Sequence, residues 1–396
     1  MNDGRALRAF RSARAEHGKA ASVDVLLDSA ARSSASGRRR LLVTGREVAP
    51  LVSVITPTFN QARFIADCIG SVKAQTYPNW EMIIIDDGST DDTAAIVEKH
   101  QDSRIHYQRQ KHVGILALAD TYNRALSNSK GDLVSILEGD DLWTAEKLEL
   151  LVPKFADPEV VLAYGRTIPL VGTRQYPKKT IPGPYHVRNF GLATLFNQPV
   201  GAAAVAMVTG GVGAFTFPCA VVMRRSALDS IGGFQFVNNL GAVDVPTFAT
   251  LSLRGRFEFV DRVVAYWRRY PGAASWIRHR EQLIGNREFA RTFLAEHRAE
   301  LPLTPERSKA IERSWHVHMK RAAFNAGRYL LLQGKWAQAG DEFLSALRSP
   351  DPKVVAASVI GYAASLLRKD IEGFMGAAGT VSFRDELAAR SLEDIR

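Results

Sequence analysis

Short apolar runs that end in acidic residues constrain the fold of this chain more than any other feature. Residues 133–137 read as a buried parallel strand, and the acidic segment 138–141 follows them. Carboxylates at the C-terminal end of such a strand lie where open α/β sheets bind their ligands. Their oxygens suit Mg2+ or Mn2+ that carries a substrate diphosphate. The alternative is that Asp140 and Asp141 cap a helix that starts near Thr144.

A second apolar run, 82–85, also ends in carboxylates. A helix start explains the later part of this segment, with Ser89 as the N-cap and Asp92 at the capping-box position. It does not explain Asp86 and Asp87, which directly follow the strand. The second run therefore favours ligand binding over helix capping at both strand ends.

A third run, 51–55, leads into the polar segment Thr56, Pro57 and Thr58, and an amphipathic helix is expected around 65–72. The chain thus has three strand ends that carry polar loops and are separated by helices. This pattern predicts a nucleotide-binding α/β sheet.

Several motifs, in order and at matching separations, resemble the family 2 glycosyltransferases with the GT-A fold. The resemblance rests on residues 52–60, 75–93 and 131–141 and covers about 50–275. It implies an α/β protein whose Rossmann-like, nucleotide-sugar-binding sheet is flanked by helices. The chain departs from the family at Glu138, where the family usually has the first Asp of its Asp-x-Asp motif.

The resemblance also implies the roles of individual residues. The Asp87 carboxylate would accept a hydrogen bond from the imide of uracil or thymine. Glu138 and Asp140 would contact the ribose and a Mn2+ or Mg2+ ion, with Asp141 close to the metal or the donor sugar. The residues assigned to donor binding are Thr56, Pro57, Thr58, Asp87, Glu138, Asp140, Asp141, Arg268 and Arg269; Glu138, Asp140 and Asp141 are also assigned to the metal.

An inverting sugar transfer needs a carboxylate that takes the proton of the acceptor hydroxyl. After Gly232 and Gly233 the family typically shows an acidic pair that opens a helix, and this chain keeps only the second acid, Asp244. The resemblance identifies Asp244 as the catalytic base. The alternative is that Asp244 caps a helix that starts at Pro246, and both roles are compatible.

The segment 266–272 resembles the basic and aromatic loop that closes over the active site in this family. Arg268 or Arg269 could pair with the departing diphosphate, because a guanidinium matches phosphate oxygens. The alternative is that both are surface residues. The family often has His where Tyr270 stands, so a histidine role at this position is lost.

We expect three segments: a basic N-terminal extension over 1–47, a GT-A glycosyltransferase domain over 48–280 and a helical C-terminal region over 281–396. The extension holds ten Lys or Arg against five acids, in a chain of net charge +10. It either docks on an anionic membrane or acidic partner or, as we favour, is a solvated extension. No apolar core follows its basic residues, which argues against a secretory signal. The chain has no nucleic-acid recognition motif.

Within the C-terminal region, residues 327–340 resemble a single tetratricopeptide-like helix hairpin. One hairpin cannot form a solenoid, so it is expected to pack on the catalytic domain or on a second subunit, which allows a homo-oligomer. Residues 199–223 carry no charge and are long enough to span a bilayer, but glycines and a proline interrupt them. We predict a buried or acceptor-side helix and loop over 199–216 and an inner strand over 219–223, with shallow membrane contact as the alternative.

The two cysteines, Cys68 and Cys219, lie in apolar segments and are expected to be reduced core residues. Two thiols in no metal spacing exclude the usual zinc sites. No predicted strand is followed by Gly-x-Gly-x-x-Gly, which argues against a nicotinamide-dependent oxidoreductase.

These observations predict a metal-dependent inverting glycosyltransferase that uses a UDP- or dTDP-linked sugar. Its acceptor would be a glycan, a lipid-linked molecule or another hydroxyl compound, in surface polysaccharide biosynthesis. We expect a cytoplasmic protein, with peripheral contact at the inner face of the membrane as an option. The alternative from another class is a catalytically inert interaction protein with a GT-A-like fold.

Overall fold

The structure, a computed structural model, describes residues 49–171, 174–175, 200–210, 216–236, 243–270, 273, 279–301, 303 and 305–373. The basic extension predicted for residues 1–47 lies outside the described residues, so its role stays a prediction.

The first half of the described chain alternates strands with helices. Its elements are β1 (Val52–Thr58), α1 (Ile65–Lys73), β2 (Trp80–Asp86), α2 (Thr93–Lys99), β3 (Ile105–Arg109), α3 (Leu118–Ser127) and β4 (Leu133–Ile136). Strand β1 pairs in parallel with β2 and with β4, and β2 pairs in parallel with β3. Every residue of β1, β2 and β4 is buried, as in a parallel sheet that is covered on both faces. The predicted α/β sheet with flanking helices is confirmed.

Strand β1 is longer than predicted and includes the polar residues Thr56, Pro57 and Thr58. In sequence, a proline between two threonines indicated a loop. In the structure, Thr56 and Thr58 lie opposite residues of β2, and the Pro57 carbonyl accepts a hydrogen bond from the Gly139 N–H at 3.2 Å. Pairing on both sides therefore keeps this segment in the sheet.

The second half of the domain completes the sheet with strands of mixed direction. Its elements are β5 (Leu142–Trp143), α4 (Lys147–Leu151), β6 (Val160–Val171), β7 (Arg174–Gln175), α5 (Ala202–Gly210), β8 (Val221–Arg224), α6 (Arg225–Ser230), α7 (Asp244–Leu251) and β9 (Arg256–Arg269). The strand order is β3-β2-β1-β4-β8-β6-β9-β5, with β7 paired to β6. Because β8 runs antiparallel to β4, the strand direction reverses beside β4. Ligands of open α/β sheets bind outside the carboxyl ends of the strands where the strand order reverses, which here is between β1 and β4.

The uncharged segment is partly described. Helix α5 covers Ala202–Gly210, and residues 211–215 lie outside the described residues. The predicted inner strand begins two residues late, because a 3-10 turn over Pro218–Ala220 precedes β8. In the described ranges, no helix combines the length and the apolar character needed to cross a bilayer.

Helices follow β9. They are α8 (His279–Glu296), α9 (Pro305–Leu332), α10 (Trp336–Ala346) and α11 (Pro352–Leu366). Helices α9 and α10 form the predicted hairpin, and Gly334 takes a positive φ of 71° in its turn. The ring of Phe343 lies so close to Gly327 that a Cβ there would be 2.8 Å from it. The indole N–H of Trp315 donates to the Val208 carbonyl at 2.7 Å, so α9 packs against α5.

Candidate active site

The acidic segment after β4 is held tightly against β1. The Gly139 N–H bonds to the Pro57 carbonyl, and the Asp141 N–H donates to the Glu138 carbonyl at 2.9 Å, which closes a narrow turn. A Cβ on Gly139 would lie 2.8 Å from Thr58 Oγ1, so a larger residue would displace the turn from β1. The turn therefore fixes the acids at the C-terminal end of β4, as predicted.

Glu138 has one carboxylate oxygen bonded and one without a donor. The Tyr122 hydroxyl donates to Oε1 at 2.6 Å. Oε2 is buried and has no hydrogen-bond partner among the described residues. The pKa of Glu138 is raised to about 7: burial is the main cause, the charges of Asp140 and Asp244 add to it, and the Tyr122 hydrogen bond acts in the opposite direction.

Asp140 and Asp141 lie beside Glu138 and each accepts a hydrogen bond near the end of β9. The Tyr270 hydroxyl donates to Asp140 Oδ2 at 3.0 Å, and the Arg268 N–H donates to Asp141 Oδ1 at 2.8 Å. Burial raises the pKa of both carboxyls, and the charges of Asp140 and Glu138 raise that of Asp141 further. The three carboxylates thus repel one another in a poorly hydrated place.

The structure contradicts the capping alternative for these acids. Helix α4 begins at Lys147, three residues later than expected from Thr144, and its N-cap is Glu146. No side chain caps this helix, so Asp140 and Asp141 are not part of its start.

The interpretation of Tyr266–Gly272 as a loop is wrong for its first four residues, because β9 extends to Arg269 and pairs with both β6 and β5. Arg268 is only 3% exposed, which rules out the surface alternative for this residue. Its Nε donates to the Asp140 carbonyl at 2.8 Å, and its guanidinium lies 4.5 Å from the centre of the Phe64 ring. The Arg269 side chain lies outside the described residues.

The acid at the end of β2 that was assigned to the nucleobase is already hydrogen-bonded. Asp87 Oδ1 accepts from the Val113 N–H at 2.9 Å and from Gln110 Nε2 at 2.8 Å. Its Oδ2 accepts from the Gly114 N–H at 2.9 Å and lies 3.0 Å from His112 Nδ1. Asp87 therefore orders the segment 110–114.

Its neighbour Asp86 is fully buried and equally engaged. Its oxygens accept from the Ser89 N–H at 2.8 Å and from the Tyr107 hydroxyl at 2.7 Å. The predicted capping box is wrong, because α2 begins at Thr93 and the side chain of its N-cap, Asp92, makes no capping hydrogen bond. Ser89 instead accepts a hydrogen bond from Asn60 at 2.9 Å.

An aromatic pair near Asp87 was missed in the sequence. Phe59 follows β1, is 40% exposed and stacks on the His112 ring, with the centroids 4.2 Å apart and the planes at 24°. An aromatic residue directly after the first strand was the available signal. The pair presents a flat apolar surface beside the segment that Asp87 orders.

Asp244 is the first residue of α7, and Val243 occupies the N-cap position. The alternative that Asp244 caps a helix starting at Pro246 is therefore wrong. Burial raises the pKa of Asp244, and a hydrogen bond from the Val245 N–H lowers it. Because its charge raises the pKa of Tyr122 and Glu138, Asp244 belongs to the same electrostatic neighbourhood as the acids after β4.

A buried lysine, also missed in the sequence, ties β4 to the residues that precede β8. Lys147 is 0% exposed, and its Nζ donates to Ser135 Oγ and to the Cys219 carbonyl, both at 2.8 Å. Burial lowers the pKa of its ammonium group well below the usual value. Cys68 and Cys219 are buried, as predicted.

The residues on β1 line the same edge of the sheet. Thr56 is fully buried, and its Oγ1 has no partner among the described residues. The Thr58 hydroxyl donates to Gln61 Oε1 at 2.7 Å. Thr56, Pro57 and Thr58 thus lie between the acids of β2 and those of β4.

The acids after β4 fit a divalent cation by their chemistry. In the described part of the chain, no three His, Cys, Asp or Glu side chains are arranged as metal ligands. Glu138 nevertheless has a buried oxygen without a donor, and the burial and mutual charge of the three carboxylates favour a compensating cation. Hard carboxylate oxygens match Mg2+ and Mn2+.

Known proteins resemble this chain over part of its length. The sequence profile described as glycosyl transferase family 2 matches residues 53–232. The chain is 44% identical over 102 residues to a putative teichuronic acid biosynthesis glycosyltransferase, TuaG, of Bacillus subtilis (strain 168), which covers 25% of this chain and 40% of that protein. It is 36% identical over 115 residues to the Escherichia coli UDP-Glc:alpha-D-GlcNAc-diphosphoundecaprenol beta-1,3-glucosyltransferase WfgD, which covers 29% and 45%.

A solved structure shows the same fold. The mannosyltransferase PcManGT from Pyrobaculum calidifontis, in complex with GDP-Man and Mn2+, aligns with a TM-score of 0.50 at 21% identity and covers 88% of each chain. The match to the curated relatives spans less than half of their length. Residues 53–232 of this chain thus match the model of glycosyl transferase family 2, and the fold is of the GT-A type.

Proposed function

We propose that this chain is a metal-dependent, inverting glycosyltransferase that moves a sugar from a nucleoside diphosphate to a hydroxyl acceptor. The observation that carries the proposal is the meeting of Glu138, Asp140 and Asp141 at the end of β4, with Asp244 near enough to raise the pKa of Glu138. Buried carboxylates with too few hydrogen-bond donors destabilise the fold, so binding of a cation or substrate explains them better.

We assign the nucleobase to the end of β1 and β2. The exposed ring of Phe59 offers a stacking surface, and Asp87 orders the adjacent segment through the Val113 and Gly114 N–H groups. Gln110, Val113 and Gly114 take three of the about four lone-pair positions of the Asp87 carboxylate, and the imide hydrogen of a pyrimidine would take the fourth, on the oxygen near His112. The UDP-Glc in the name of the E. coli relative favours UDP over dTDP.

Asp244 is assigned the role of base. Its position at the start of α7 orients the carboxylate, and the helix dipole favours the ionised form that accepts a proton. Burial raises its pKa, which strengthens it as a base toward the acceptor hydroxyl. The acceptor oxygen then attacks the anomeric carbon as the nucleoside diphosphate leaves.

Asp140 and Asp141, with Glu138, would hold the divalent cation, whose charge offsets that of the departing diphosphate. Arg268 keeps its guanidinium on the Asp140 carbonyl, so it supports this turn and adds positive charge beneath it. We retain Arg269, at the end of β9, as a candidate for contact with the diphosphate.

The names of the relatives support an acceptor in surface polysaccharide biosynthesis, such as a lipid-linked glycan. An acceptor of this kind would bring the enzyme to a membrane surface. The basic segment 1–47 would then aid peripheral contact with anionic lipids on the cytoplasmic side. Self-association through the C-terminal helices stays a prediction.

Incubating the purified protein with a panel of nucleotide sugars and polyprenyl-diphosphate-linked acceptors tests the proposal. We expect nucleotide release and a transferred sugar of inverted anomeric configuration in Mn2+, and neither in excess EDTA. Binding of nucleotide without transfer to any acceptor would support the inert interaction protein. Transfer at an equal rate in EDTA would contradict the metal requirement.

A further inference from the structure

Tyr122 occupies a fixed position between the acids of the candidate site and the segment that leads to α7. Its side chain is 2% exposed, and its ring packs on Phe234 with the centroids 5.0 Å apart. The next residue, Asn123, bonds the Phe234 backbone twice, at 2.9 Å to its carbonyl and 2.8 Å from its N–H. These contacts leave the phenol hydroxyl little freedom to move.

The hydroxyl of Tyr122 bonds to only one of the two carboxylate oxygens of Glu138. It donates to Oε1 at 2.6 Å, whereas Oε2 is buried without a partner among the described residues. A buried carboxylate oxygen without a donor is costly, and a ligand hydroxyl that donates to it removes that cost. Glu138 is thus held as an acceptor with one defined free position.

The length of the side chain matters for this arrangement. Glu138 reaches from the turn after β4 to α3, and an aspartate at 138 would be one methylene shorter. Asp140 and Asp141 instead bond to residues of β9 and its end. Glu138 is therefore bonded to α3, whereas its two neighbours are bonded to β9 and the residue that follows it.

We propose that Tyr122 is a positioning residue for donor specificity: by binding Oε1 it directs Glu138 Oε2 to a ribose hydroxyl of the nucleotide. This inference rests on the proposed function and adds to it a residue, on α3, that contacts no substrate itself. The Tyr122–Glu138 pair would then recognise the ribose, and the cation would be bound mainly by Asp140 and Asp141.

The test is calorimetric binding of UDP and of 2′,3′-dideoxy-UDP in Mn2+ to the wild type and to Tyr122→Phe. The variant keeps the ring on Phe234 and loses only the hydroxyl. We expect roughly tenfold weaker binding of UDP, as for loss of a hydrogen bond to a charged group, and unchanged binding of the dideoxy nucleotide. Tyr77→Phe, which removes a hydroxyl bonded to the Pro50 carbonyl outside the site, is the matched control.

A second variant keeps the proposal testable if Tyr122→Phe is unstable. Glu138→Asp should lower UDP affinity, and adding Tyr122→Phe should then have no further effect, because the pair acts as a unit. Equal losses for both nucleotides, unchanged UDP binding or additive effects would overturn the role of Tyr122. If the wild type binds GDP rather than UDP, GDP and 2′,3′-dideoxy-GDP replace the pair. A wild type that binds no nucleoside diphosphate would contradict the proposed function itself.

Discussion

The ends of β2 and β4 carry similar acidic sequences but very different structures. Asp86 and Asp87 accept hydrogen bonds from backbone N–H groups and neighbouring side chains on all four of their oxygens. At β4, one oxygen of Glu138 has no donor among the residues that the structure describes, and burial and neighbouring charges raise the pKa of Asp141. The carboxylates at the end of β2 have enough hydrogen-bond donors, and those at the end of β4 do not.

The difference separates two uses of a carboxylate at a strand end. With several N–H donors, an acid fixes the loop that follows, and its charge is compensated within the protein. With few donors and like charges nearby, it is best stabilised by a cation or a ligand hydroxyl. We therefore expect β2 to support the site and β4 to carry its chemistry.

The largest expected effect comes from Asp140→Asn. It should lower turnover by at least 10²-fold, on the order of 3 kcal/mol of transition-state stabilisation, because cation binding weakens. Steady-state assays in saturating Mn2+ would measure this. Asp102→Asn, at an ion pair with Arg104 before β3, is the control and should keep normal turnover. Normal activity of Asp140→Asn would remove the distinction between the two strand ends.

Asp244→Asn extends the comparison to an acid that acts on the acceptor. The side chain is nearly isosteric and stays at the start of α7. We expect transfer to be slower by about 10²-fold with unchanged affinity for nucleotide and metal, because the loss concerns the proton transfer. Stopped assays of the transfer rate, paired with calorimetric measurement of the nucleotide and metal affinities, would separate an effect on turnover from an effect on binding. A loss of stability in step with activity would indicate that Asp244 acts mainly through the helix.

Asp87→Ala should act mainly on stability. It leaves the Val113 and Gly114 N–H groups without their acceptor, at a cost of about 1.5–3 kcal/mol for hydrogen bonds to a charged group. Asp140→Ala in the metal-free protein should cost less, because it relieves repulsion. Urea denaturation in EDTA measures both, and equal costs would argue against the structural role of Asp87. Nucleotide affinity should also fall in Asp87→Ala.

The pH dependence of the metal-free protein extends the comparison to the protonation of Glu138. The pKa of Glu138 is raised from 4.5 to about 7 on folding. The unfolded chain therefore ionises first, and stability should fall as the pH rises from about 4.5 to about 7. Thermal melts in EDTA would show it, and Mn2+ should restore stability increasingly with pH because it binds the ionised acids. Glu138→Gln should flatten the profile, and an unchanged profile would contradict this assignment.

The sequence predicted β1, β2, β4 and β8, and the polar ends of the first three, since apolar runs and their spacing are local properties. It could not distinguish the acids of β2 from those of β4. That distinction depends on donors from residues 110–114, which are distant in sequence from Asp87. The lengths of β1 and β9 were missed for the same reason, because pairing on both sides keeps Thr56–Thr58 and Arg268 in the sheet.

The sequence also could not predict which polar side chains are buried or what they contact. Tyr122 and Lys147 lie in amphipathic segments where either could have been exposed. Only the fold shows that the first bonds to Glu138 and the second to Ser135 and the Cys219 carbonyl. Asp244, by contrast, was identified through the family resemblance, and the structure brings it close to the acids after β4.

The central claim is that the acids after β4 hold a cation for the diphosphate. Calorimetric titration of UDP into the wild type and Asp140→Asn, in Mn2+ and in EDTA, tests it most directly. We predict tight binding by the wild type only with Mn2+, and weak binding by the variant that no longer depends on the metal. Equal affinity of the wild type for UDP in Mn2+ and in EDTA would contradict the account.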